Sequence, residues 1–201
     1  MKKKLLIMVP VIVFVVLFLA VFFNIEKIDN HLTVMEYEKA YQHEKNEADL
    51  INLCYYLNQN FDDNSLDEKR IKYSKELINV ITEDGIKESV FAETYNESGS
   101  DITAKDFAME WYFVTLLACE EYDLFVKDFS ECYLQVDYYA TIYLQEVIKS
   151  MYNTTKEPLI LEYGIKAYEE ISKKTGEDAI KKICSVQIDV LEDIKNNDTN
   201  Q

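Results

Sequence analysis

Residues 5–23 form an unbroken apolar run directly after Lys2, Lys3 and Lys4. As a helix rising ~1.5 Å per residue it measures about 28 Å, close to the roughly 30 Å hydrocarbon core of a bilayer. A cleavable signal peptide has a shorter apolar stretch, about 7–15 residues, and ends in small residues. Here Ala20 is the one small candidate, and Phe18, two residues before it, is too bulky for that pattern. The run therefore predicts an uncleaved signal-anchor across a cell membrane. A secreted helical protein is the alternative if the leader is trimmed near Ala20. Pro10 is compatible with a span, because local adjustments re-satisfy the backbone groups it frees. The lysines precede the run, whereas Glu26, Lys27 and Asp29 after it are mixed in sign. Lys and Arg beside a span are retained on the cytoplasmic side, so the amino terminus is expected in the cytoplasm and the rest outside it. Residues 107–119 are the next most apolar stretch. At thirteen positions with Glu110 among them, they suit a buried core helix rather than a second span.

The remaining 178 residues, 24–201, are ample for one compact domain. They hold 18 basic and 37 acidic residues, a net charge of −19. Such a surface repels phosphate backbones and anionic headgroups, which excludes nucleic acid as a partner and admits a cationic one. Twenty lysines stand against a single arginine, Arg70. Only four glycines and two prolines occur in the chain, far fewer turn residues than an all-β protein needs. The expected fold is all-α: a transmembrane helix followed by an irregular bundle of about six or seven helices.

Apolar periodicity marks the elements. Ile25, Ile28, Leu32 and Met35 recur at alternating steps of three and four, a seam expected to dock on the domain. Residues 24–47 read as a juxtamembrane helix or stalk, with 42–47 wholly polar, and the helical domain spans 48–195. Leu50, Leu53, Cys54, Leu57 and Phe61 share one face. Ser65 and Glu68 stand in capping-box relation, predicting a helix that buries Leu66, Tyr73, Leu77, Val80 and Ile81. Gly85 separates it from a short helix carrying Ile86, Val90, Phe91 and Tyr95, and residues 96–101 form a loop. Thr103 and Asp106 cap a central helix over 107–119. A bend at 120–128 then leads into one long helix with Phe129, Cys132, Val136, Ala140, Tyr143, Val147 and Met151 inward. Pro158 opens the next helix, where Gly164 suggests a close helix crossing. Gly176 ends it. A last helix runs from 177 to about 195 with Ile180, Ile183, Cys184, Val190 and Ile194 inward, and 196–201 form a frayed tail.

Few residues point to chemistry. Cys54, Cys119, Cys132 and Cys184 are an even set in a chain expected outside the cytoplasm. They read either as buried free thiols or as two bridges, Cys119 with Cys132 across the 121–127 corner and Cys54 with Cys184. No C-x-x-C occurs, and His43 with Glu47 is too small a set for a metal, so neither metal nor cofactor is expected. Residues 62–67 lack the central Gly and terminal Glu of a calcium loop. Glu110, ringed by apolar neighbours, is the candidate buried acid, and a turn near residue 123 would bring Asp137 beside it. A hydrogen bond from one of fifteen tyrosines is the simpler fate for such an acid. With no nucleophile, base or metal cluster in recognisable spacing, an enzyme is not expected. The sequence reads as a membrane-anchored, extracytoplasmic helical protein that meets a protein partner. A ligand- or cation-sensing domain with an acidic groove is the alternative.

Overall fold

The computed structural model describes residues 25–59, 63–89, 103–135 and 138–198, with the backbone alone for 25–30 and 138–143. The predicted anchor at 5–23 lies outside them, as do Val90, Phe91, Tyr95, Asp137 and the 96–101 loop. Among the described residues no helix is long and apolar enough to cross a membrane.

Nine α-helices and no strand are present among the described residues: α1 Ile25–Glu44, α2 Glu47–Asn58, α3 Asp67–Val80, α4 Glu83–Lys87, α5 Ala104–Ala118, α6 Tyr122–Tyr133, α7 Tyr138–Thr155, α8 Pro158–Lys174 and α9 Asp178–Asp198. An irregular helical bundle is what the scarcity of Gly and Pro implied. Two cores divide it. One is built by α1 to α4 with Ala104 and Ala108 of α5, and centres on Leu50, Leu53, Leu57, Tyr73 and Leu77. The other is built by α5 to α9 around Phe113, Phe125, Phe129 and Tyr168. The ring of Phe129 meets Phe113 at 5.1 Å and Tyr168 edge-on at 5.9 Å between centroids. Helix α5, apolar on nearly every face, contributes to both cores, which is why it sits centrally.

Local sequence explains the helix ends. Thr103 and Asp106 form the expected capping box, each side chain accepting the other's backbone N–H. Glu83 Oε1 accepts the Ala104 N–H at 2.9 Å and ties that helix start to α4. Pro158 occupies the first turn of α8, and Gly164 lies where a Cβ would come within 2.7 Å of Ile148 Cγ2 and 3.2 Å of Leu191 Cδ1. The predicted close crossing is thus the meeting of α8 with α7 and α9.

Three helical hairpins turn on residues with positive φ that are not glycine: Lys45, Glu120 and Lys156. Lys45 and Lys156 each donate a backbone N–H to a tyrosine carbonyl four residues back, Tyr41 and Tyr152. Each also sets its ammonium over that same tyrosine's ring, at 4.5 and 5.1 Å. One device, a Tyr-x-x-x-Lys helix end, is used twice. A cation there also faces the negative end of the helix dipole.

Several expectations are corrected. Leu32 and Met35 do not dock; they are 53% and 60% exposed, and α1 packs through its other face by Val34 and Tyr41. Polar bonds favour that face: Glu38 accepts from Lys69 Nζ and the Tyr73 hydroxyl, both at 2.6 Å, and Tyr41 donates to Glu76 at 2.5 Å. Burial alone would raise the Glu38 carboxyl, but those two donors outweigh it and hold it below the ordinary range. Residues 42–46 are the exposed end of α1 and its turn into α2, while Val34 and Tyr41 of α1 pack in the first core. Ser65 caps nothing; it donates to Asp63 inside a short 3-10 turn, and α3 starts at Asp67. Val80 is exposed, while Arg70 and Ser74 are buried in its place. Gly85 lies within α4 against Glu47 rather than ending a helix. The predicted bend at 120–128 is most of α6, and the predicted long helix is two, with a break after Tyr133.

Candidate functional site

Helix α6 turns Tyr122, Phe125, Phe129 and Tyr133 inward, and Asp128 falls on the edge of that same face. Across the Glu120 turn, α5 runs back antiparallel, and Tyr112 and Asp128 stand equidistant from Glu120 in sequence. The Tyr112 hydroxyl donates to Asp128 Oδ2 at 2.6 Å. From α3, Lys75 Nζ donates to the same oxygen at 2.7 Å and sits 5.6 Å from the Tyr112 ring centre. Asp128 is only 7% exposed. Burial by itself raises its carboxyl, yet the donors Lys75 and Tyr112 prevail and hold it below the usual carboxylate range. Burial, with the charge of Asp128 beside it, pushes the Tyr112 phenol well up, so it remains a donor.

These groups lie in a groove of about 330 Å³ between α3, α5 and α6. Each wall is a helix stripe: Lys75, Ile78 and Asn79 on α3; Lys105, Met109 and Tyr112 on α5; Asp128, Glu131 and Cys132 on α6, with Gln135 in the turn just past its end. Ile78, Met109 and Cys132 give the lining an apolar part, and the buried Asp128 and Tyr112 give it a polar one. Burial, then the nearby Asp128 charge, raises the Cys132 thiol, so it is no thiolate nucleophile. The acid is ionised and already bonded, the phenol is protonated, and the thiol is protonated. Such a set holds a positive charge in place; it does not exchange protons near neutral pH.

A second polar cluster lies beneath α3. Arg70, its side chain wholly buried, donates Nε to the Leu57 carbonyl at 2.9 Å and pairs through Nη1 with Asp67. The Cys119 thiol points at Asp67 Oδ1 from 3.4 Å. Burial, with Asp67 adding to it, pushes that thiol up to about 12.

The residues singled out from sequence are dispersed. Glu110 is half-buried and lines a smaller recess of about 210 Å³ with Asn58, Phe107, Trp111 and Val114. Asp137 lies outside the described residues. A buried acid that accepts from a tyrosine is Asp128, set opposite Tyr112 because α5 turns at Glu120 rather than near residue 123. All four cysteines are free thiols. Cys54 belongs to the first core and Cys184 to the second, and the 121–127 stretch expected to bring Cys119 to Cys132 is helical. His43 Nδ1 stands 4.0 Å from Glu44, and Glu47 accepts from the Thr82 N–H and hydroxyl. Among the described residues no group of three or more His, Cys, Asp or Glu converges as metal ligands would.

One signal could have found the groove: a lone Asp on the apolar face of 122–133. That stretch also holds Asp123 and Glu131 and follows Glu120 and Glu121, and this acidity hid the period.

No family model, curated protein or solved structure matches the chain. The described residues form an all-helical bundle, and the groove that holds the buried Asp128 is its candidate site.

Proposed function

We propose that the protein is held in a membrane by residues 5–23, amino terminus in the cytoplasm and acidic bundle outside, and that it works by contact with a protein partner through the α3–α5–α6 groove. The observation that carries the contact reading is the state of Asp128. It is buried, charged and bonded through Oδ2 by both Lys75 and Tyr112, an arrangement suited to recognition and not to turnover. A net charge of −19 outside the apolar run favours a cationic partner. Enzymatic activity gains no support from Cys132, whose thiol is pushed up, nor from Glu110.

The test has two arms in intact cells. Protease added outside should remove the bundle while a tag on the amino terminus stays protected; full protection of a carboxy-terminal tag rejects the topology. A photo-crosslinker placed at Gln135 on the groove rim should capture a defined protein partner that the same probe at Lys182, an exposed position on α9, does not. Identical capture from both positions rejects the groove as the contact site. A ligand- or cation-binding sensor is the second reading, favoured by a groove of about 330 Å³ with a buried carboxylate in its wall.

A further inference from the structure

We propose that the groove is a recognition site for a primary ammonium group on an alkyl stem, and that Lys75 is an internal occupant which an incoming amine replaces. The inference rests on the reading of the groove as a contact site and names what enters it.

The argument turns on which half of the ion pair is fixed. Asp128 is nearly inaccessible, is set among aromatic side chains on α6, and receives the Tyr112 hydroxyl from α5. Lys75 reaches the same oxygen from α3 on a flexible four-carbon stem, with its side chain 55% exposed. The anion is therefore part of the wall, and the cation is free to leave into solvent. What remains when it leaves is a carboxylate, a phenol hydroxyl and an aromatic face within reach of one point, the set that binds an ammonium. Ile78, Met109 and Cys132 supply an apolar lining for the carbons behind that ammonium. The volume, about 330 Å³, lies in the range of small-ligand sites, roughly 300–1,000 Å³.

An anion is the wrong guest. Lys75 and Lys105 would attract one, yet it would have to settle against the buried Asp128 carboxylate, and Glu131 stands on the same rim. Leaving Asp128 without a cation is costly, so the exchange requires a group of the same charge. The chain's net charge of −16 concentrates cations near the site and repels anions.

The experiment uses the full chain in detergent micelles, wild type, Lys75→Ala and Lys75→Ala/Asp128→Asn. Thermal unfolding is followed with millimolar n-butylammonium chloride, against sodium chloride and sodium butyrate at equal ionic strength. Lys75→Ala should unfold at lower temperature than wild type and regain most of the loss with butylammonium alone. The double variant should gain nothing. Should Lys75→Ala fail to fold, the wild type reports instead: its Met109 methyl resonance should move on titration with butylammonium, at concentrations about tenfold higher than an unoccupied site would need, since Lys75 holds the site for most of the time. A lysine tripeptide blocked at both ends distinguishes the source. Tighter binding than butylammonium assigns the site to a partner protein's lysine, weaker binding to a free amine. The proposal is overturned if butyrate stabilises Lys75→Ala as well as butylammonium does, or if neither amine moves the Met109 methyl. If the amines fail while the Gln135 crosslinker still captures its partner, the contact reading survives and the ammonium site does not.

Discussion

Replacing Arg70 with methionine tests whether the one arginine in a lysine-rich chain is there for its shape. The guanidinium lies in a wholly buried position, bonded to the Leu57 carbonyl at 2.9 Å and to the Asp67 carboxylate. Lysine offers a point charge, whereas the planar fork serves two acceptors in different directions at once. Methionine keeps most of the stem's packing, so the loss is polar. The Leu57 carbonyl retains the Gln59 N–H, and its share is about 1 kcal/mol. Breaking a buried ion pair on one side costs about 3–5 kcal/mol. The Asp67 side chain is 27% exposed and water recovers part of that, which lowers the share to about 1–2 kcal/mol. The total, about 2–3 kcal/mol, lowers the Tm of a chain this size by about 4–12 °C. Far-UV circular dichroism of the full chain in detergent reads it. Asp67→Asn combined with Arg70→Met should cost less than the two single losses added, because no charge is left stranded. A Tm within about 1 °C of wild type for Arg70→Met, or strict additivity in the double variant, refutes the reasoning.

Gly164→Ala should destabilise by about 1 kcal/mol in chemical denaturation: the gain of about 1 kcal/mol in helix propensity is outweighed by an overpacking cost of about 1–3 kcal/mol against Ile148 and Leu191. A stabilised variant would mean α8 does not cross its neighbours there. On α1, Val34→Ala should cost about 1.5–2.5 kcal/mol while Met35→Ser stays within about 0.5 kcal/mol. The reverse order would put the Leu32–Met35 seam inward. Asp63 is held at about 2, mostly by the Ser65 hydroxyl and further by His31 at 2.8 Å. A depressed acid contributes above its unfolded value and loses that contribution as pH falls through its folded one, here between about 4 and about 2. The urea midpoint of wild type should therefore fall more steeply across that window than that of Asp63→Asn, and parallel curves would remove Asp63 from the acid response.

Helices announced by caps and stripes were legible in the sequence. Thr103 with Asp106, and Pro158, carry their own geometry, so α5 and α8 start where composition says they should. Turns were less legible, because the hairpins bend at Lys45, Glu120 and Lys156, none of which is a glycine. Without that punctuation, apolar spacing ran on through the break after Tyr133 and joined α6 to α7. The candidate site was lost by the same route. Placing the α5 turn a few residues late pairs Glu110 with Asp137, and only the true turn sets Tyr112 opposite Asp128. Arg70 carried no signal beyond its rarity. Its burial follows from tertiary neighbours, the end of α2 and Asp67, that no periodicity encodes. For α1 the heptad-like spacing misled, because docking is decided by Val34, Tyr41 and the Glu38 ion pair rather than by the most regular apolar row.

Because Ala104 and Ala108 close the first core while Met109, Phe113 and Leu116 open the second, neither half of the bundle is finished without the same fifteen-residue rod. During synthesis the leading four helices emerge with one greasy side uncovered until Ala104 and Ala108 have followed them out. A fragment ending at residue 89 should accordingly behave as a sticky, partly formed chain, and recombining it with the remainder should restore order to both pieces together.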